Sequence, residues 1–207
     1  MRFAPIHLLR LMRVGFVLAR EGAFALVDPR EAPPGVGALV QLARLFEKRG
    51  ASSSAEGLVA ALTRLGPSYI KLGQFMATRP DVVGVRVARD LEKLQDRIPP
   101  FGRAAAVKEI EESFGKPLDA LYSEFSEPIA AASIAQVHRA RTLSGETVAV
   151  KVLRPGVRTR FRRDLAAMAY AAGVMEEFSA EARRLKFVDV VETLKRSVTM
   201  EMDLRLE

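Results

Sequence analysis

Residues 147–153 read Thr147-Val148-Ala149-Val150-Lys151-Val152-Leu153. The period-two alternation predicts a strand with Val148, Val150 and Val152 on one face. Lys151 falls on the other face, beside Ala149. A mid-strand lysine has two readings. It reaches a pocket and meets an anion there, because an unpaired buried charge is costly. Otherwise it sits on an edge strand and discourages aggregation.

Upstream, Ser144-Gly145 marks a hairpin turn. Ile134–Thr142 and Tyr122–Phe125 read as two more strands, and His138-Arg139-Ala140 lies inside the second. Between them stands Ala130-Ala131-Ala132-Ser133, read as a connecting loop or as an alanine-rich helix start. Downstream of Pro155-Gly156 the helical period returns, from about Arg158 to Phe178. A final helix begins near Asp189 and runs to Glu207 with no stop signal. That predicts the N-terminal portion of a larger protein, or a truncated product.

Helices dominate the first half. The first twenty residues hold Arg2, Arg10, Arg13 and Arg20 and no acid. Ile6, Leu9, Met12, Phe16 and Val17 follow helical spacing, so a basic amphipathic helix either lies on an anionic bilayer or packs on its own domain. Asp28–Gly37 reads as a linker. Further helices are expected over Ala38–Arg49, from a Ser53/Glu56 capping box to Leu65, over Tyr69–Thr78 after Pro67, over Val85–Gln95, and over Arg103–Phe114 closed by Gly115.

Composition narrows the chemistry. The 207 residues are 49% hydrophobic, enough for a core. No cysteine is present, which excludes disulfides, thiolate metal sites and thiol catalysis. Two histidines, His7 and His138, exclude a multi-histidine metal centre. Thirty-two basic against 25 acidic residues give a net charge of +7. That suits an anionic surface, but the chain lacks Trp and has no recognised nucleic-acid motif, so nucleic acid is not expected as a partner. No apolar run approaches the roughly 18 residues of a membrane span.

Two strands and a hairpin before Lys151 resemble the small lobe of a protein kinase. There the equivalent lysine holds nucleotide phosphates and pairs with a helix glutamate. The glycine-rich loop of such lobes is replaced here by Ala130-Ala131-Ala132-Ser133. Each alanine carries a Cβ that restricts positive φ and close approach, and Ser133 offers a hydroxyl to a phosphate. PSYIKLGQFMATRPD (67–81), the alanine-rich loop, VAVKV (148–152) and EMDLRLE (201–207) occur in that order. As a set they resemble the UbiB/ADCK family of atypical kinases from about Leu58 to Glu207.

The resemblance implies that Lys71, Gly73 and Gln74 form its K-x-G-Q motif, on a helix folded over the nucleotide pocket. Positions i and i+3 place Lys71 and Gln74 on one helix face. Glu201 and Asp203 become the E-x-D pair. On a regular helix they point about 200° apart, so separate roles are assigned. Glu201 is the favoured partner of Lys151, with Glu176 and Glu177 as competitors, and Asp203 meets Lys71 or the metal–phosphate region. The expected nucleotide-binding residues are Ala130, Ala131, Ala132, Ser133 and Lys151; the catalytic set is Lys151, Glu201 and Asp203.

The expected fold is α+β and mostly helical: an N-terminal helical extension packed on a kinase-like small lobe with a short antiparallel sheet. The expected divisions are 1–37, a basic segment and linker; 38–117, the helical extension; and 118–207, the small lobe. The implied function is part of an atypical kinase or ATPase supporting ubiquinone or other prenyl-lipid biosynthesis. Its cofactor is ATP or ADP with Mg²⁺, with no metal ligand in these 207 residues. Without a catalytic-loop Asp or a metal-binding Asp-Phe-Gly, the chain alone is expected to be inactive. Expected partners are nucleotide, an anionic membrane surface or prenyl lipid, and other ubiquinone-biosynthesis proteins. The expected location is cytoplasmic, peripheral to a bacterial inner membrane. The rival function is a membrane-surface or lipid-binding module without ATP turnover.

Overall fold

The computed structural model of the chain describes residues 5–26, 36–48, 55–94 and 98–206. Ser53, linker residues 28–35, Gln95 and Glu207 lie outside them. The chain divides into two compact units: Met1–Gln95 with Phe161–Val198, and Asp96–Arg160 with Thr199–Glu207.

The first unit is helical. It contains α1 (Pro5–Arg20), α2 (Val36–Arg44), α3 (Ala55–Leu65), α4 (Pro67–Ala77), α5 (Pro80–Val83) and α6 (Val85–Leu91). It also takes in most of α8 (Val157–Phe178), all of α9 (Ala180–Leu185) and most of α10 (Phe187–Glu201). Gly66, at φ 98°, separates α3 from α4 in a conformation that L side chains rarely adopt, and Pro67 supplies a preset φ for the first turn. Leu62, Leu65, Ile70, Ala88, Leu91 and Leu94 are buried at the α3–α4–α6 contact. The sequence expectation omitted α5 and α9. Both are short; α9 starts at Ser179, whose side chain accepts from the Ala182 amide.

The second unit holds α7 (Arg103–Phe114) and a three-stranded antiparallel sheet in the order β1 (Tyr122–Ala131), β2 (Ala135–Thr142), β3 (Thr147–Leu153). Helix α7 ends at Gly115, in the left-handed region, whose amide donates to the Glu111 carbonyl. Ala106 and Ile110 of α7 form a core with Val152, flanked by Val150, Phe101, Leu118 and Phe125. The sequence division at 117/118 had grouped α7 with the helical extension, yet it is the element that covers the sheet.

Helical extension and antiparallel sheet bear out the α+β, mostly helical expectation. Two local expectations change. β1 runs through Ala130 and Ala131, so the alanine-rich connection is a tight turn and not a helix start. The final helix stops at Glu201, and Asp203 lies beyond it, so the 200° separation does not apply. The reason is tertiary: Arg158 donates to the Met202 carbonyl at 2.6 Å, holding the chain where a helix would have continued.

Candidate functional site

Register fixes the face of Lys151. β2 pairs β3 with Val137 opposite Lys151, and β1 pairs β2 with Ala130 opposite Val137. Paired residues share a face. Ala130, Val137 and Lys151 therefore form one row across the sheet. The adjacent row, Ala131, Gln136 and Val152, faces the α7 core. Lys151 thus stands on the face away from α7, partly buried, two strands from the last residues of β1.

The turn beside that row is held rigidly. The Ala132 amide donates to Ala135 O at 2.8 Å, and the Arg154 amide donates to Ile134 O at 2.9 Å. The Arg154 guanidinium donates to Ala132 O (3.1 and 2.9 Å), Ile98 O (3.1 Å) and Pro99 O (2.9 Å). It also lies over the Phe101 ring. Ser133 is fully buried within the turn, so its side chain is enclosed by protein. Composition gave no sign of Arg154; its place directly after the Lys151 strand and before Pro155-Gly156 was the available signal.

Beneath the sheet lies a polar network that the sequence expectation missed. Gln136 accepts from the Phe101 amide (2.9 Å) and donates to the Phe101 carbonyl (3.1 Å). Its amide nitrogen also lies 2.9 Å from His138 Nε2, while His138 Nδ1 lies 2.9 Å from Ser126 O. A carbonyl only accepts, so the proton belongs on Nδ1 and Nε2 accepts from Gln136. Phe125 stacks on the His138 ring at 4.4 Å. His138 is structural and sits in β2, as its expected exclusion from a catalytic loop requires. The signal was two polar residues, i and i+2, at inward positions of one strand.

Of the E-x-D pair, Glu201 is the partly buried last residue of α10. The Asp203 carboxylate accepts from Arg205 at 2.7 and 2.6 Å. Those bonds, aided by the Arg205 amide and the charges of Arg205 and Arg158, hold the Asp203 carboxyl down at about 2. Asp203 is therefore ionised throughout the physiological range. The Arg205 side chain is largely exposed, so the pair is screened and yields readily to a competing cation. The folded value is depressed below the ordinary 3.8, so the ion pair is complete above that pH and is lost as pH falls through about 2. Arg205→Ala is expected to return the Asp203 midpoint toward 3.8. Carbonyl-detected NMR titration reads this, and an unmoved midpoint would assign the shift elsewhere.

The K-x-G-Q residues lie on α4 in the first unit. Gly73 is a packing requirement: a Cβ there would overlap Leu94 Cδ1 and come within 2.8 Å of Leu62 Cδ1. Gln74 donates to Leu94 O at 3.4 Å, a long bond. Lys71 is partly buried on the same helix. Glu176, a suggested competitor for Lys151, instead accepts from the Val188 amide at 2.8 Å and so caps α10. Among the described residues no three Asp, Glu or His side chains cluster as a metal site, and no helix is long and apolar enough to cross a membrane.

Residues 93–207 match the ABC1 atypical kinase-like domain. The chain is 40% identical over 203 residues to a probable protein kinase UbiB of Azotobacter vinelandii, covering 96% of this chain and 38% of that protein. It is 39% identical over 204 residues to the one from Marinobacter nauticus, covering 97% of this chain and 37% of that protein. It is 45% identical over 148 residues to one from Pseudomonas fluorescens, covering 71% of this chain and 28% of that protein. The chain therefore spans less than two-fifths of the length of these curated relatives. Over more than half of its length it carries the matching domain, and it belongs to the ABC1 atypical kinase-like family.

Proposed function

We propose that this chain is the nucleotide-binding part of an atypical kinase or ATPase that supports ubiquinone or related prenyl-lipid biosynthesis. One observation supports this: Lys151 and Ala130 share a row on the face of the sheet away from α7, beside a turn pinned by Arg154. An ammonium at that spot is suited to nucleotide phosphates. The lipid pathway is suggested by the relatives named UbiB.

Lys151 is assigned to the phosphates of ATP or ADP. Glu201 is assigned as its carboxylate partner, since it belongs to the same unit and is half-buried. Asp203 offers an ionised carboxylate nearby in sequence, released if Arg205 swings away. Mg²⁺, when bound with nucleotide, neutralises phosphate charge. The described residues hold no cluster fit to ligate it, so no ligand is assigned to it and no step is derived through it.

The test is a titration of the chain with fluorescent ADP, followed by anisotropy. Lys151→Ala is expected to weaken binding at least about tenfold, the loss of one charge-assisted phosphate contact, with an unchanged circular dichroism spectrum. Equal affinity of the two proteins would refute the assignment.

A further inference from the structure

Residues 199–206 read Thr-Met-Glu-Met-Asp-Leu-Arg-Leu, with no glycine or proline. Methionine, glutamate, leucine and arginine all favour a helix. Helix α10 nevertheless ends at Glu201, and a 3₁₀ turn follows at Leu204–Leu206. Contacts make this break, against local preference. A continued α10 would give the Met202 carbonyl to the Leu206 amide, four residues on. That carbonyl instead accepts from the Arg158 guanidinium at 2.6 Å. The Asp203 amide donates to the Met200 carbonyl at 3.0 Å, three residues back, which tightens the last turn.

The broken form carries its own ion pair. Asp203 accepts from Arg205 Nε and Nη2 at 2.7 and 2.6 Å, and the Arg205 amide donates to the same carboxylate at 3.3 Å. Residues two apart do not face each other on a regular helix, so this pair exists only while the helix is broken. The Arg205 side chain is largely exposed and the pair is screened, so it holds the break weakly. The stronger hold is the charged donor on the Met202 carbonyl. Arg158 is the second residue of α8, 44 positions from Met202 in sequence, and belongs to the same compact unit. Losing that one contact leaves residues 202–206 with the helix their side chains prefer.

We propose that residues 202–206 form a two-state element and that Arg158 is a positioning residue for the E-x-D acids. With Arg158 on the Met202 carbonyl, the chain leaves the helix after Glu201 and Asp203 is held by Arg205. Without it, α10 continues and sets Glu201 and Asp203 about 200° apart. The consequence for nucleotide rests on the assignment of Glu201 to Lys151 made above. The test is backbone NMR of the full chain. In Arg158→Ala the Cα shifts of residues 202–206 are expected to move to helical values, and exchange of the Leu206 amide is expected to slow. Arg158→Lys keeps one charged donor and is expected to retain the parent shifts. Asp203→Asn, with Arg158 intact, is expected to stay non-helical. Arg158 is exposed, so these variants are expected to fold. Random-coil or unmoved shifts in Arg158→Ala, or helical shifts in Asp203→Asn, would overturn the proposal. Fluorescent ADP is expected to bind Arg158→Ala roughly threefold to tenfold more weakly than the parent, the loss of one positioned carboxylate partner. Helical shifts with unchanged ADP affinity would uphold the role of Arg158 and count against the assignment of Glu201 instead.

Discussion

Gln136→Leu is expected to destabilise the protein by about 3 kcal/mol. Gln136 is 1% exposed and satisfies three groups at once: the Phe101 amide, the Phe101 carbonyl and His138 Nε2. Leucine fills much of the volume but leaves all three without that partner. Each unsatisfied buried polar group costs about 1–3 kcal/mol. For a chain of this size that is a fall of roughly 6–12 °C in melting temperature, measured by calorimetry. A double variant, Gln136→Leu with His138→Phe, is expected to recover part of the loss, because removing both partners relieves the orphaned acceptor. A fall of less than about 1 kcal/mol in the single variant would mean that water replaces the amide, and the network would not be a folding determinant.

Arg154→Ala is the second large effect. The guanidinium reaches three carbonyls from two chain segments, Ala132 on one side and Ile98 and Pro99 on the other. Bonds to a charged donor are each worth about 1.5–3 kcal/mol, with strong non-additivity, so about 3 kcal/mol is expected in total. Lysine should restore little, since one ammonium cannot span the fork. The local readout is hydrogen exchange at the Ala132 amide, which closes the turn onto Ala135. Exchange there should accelerate more than at strand β3. Uniform acceleration across the sheet would show that Arg154 supports the fold generally and does not specifically hold the turn.

Where local chemistry is strong, sequence and structure agree to the residue. The strand Thr147–Leu153 and the helix Arg103–Phe114 have the expected bounds. The first is written by period-two valines, the second by Pro99-Pro100 before it and a left-handed glycine after it. The extension of β1 to Ala131 was not legible, because alanine has little strand preference and only the pairing with Val137 and Gln136 makes those residues extended. The end of α10 was not legible either, because no local stop precedes Met202 and the contact at its carbonyl comes from Arg158.

The sequence by itself determined the α+β class, the face of Lys151 relative to the three valines, and the order of motifs. Each is carried by residues within a few positions of one another, where backbone geometry alone relates them. Tertiary structure decided the rest. It buried Gln136 and His138 because Phe101, 35 residues away in sequence, supplies the missing hydrogen bonds. It bound Asp203 to Arg205 after ending the helix that would have turned it elsewhere. It also exposed the apolar stripe of α1, since a helical pattern states which residues share a face but not what that face meets.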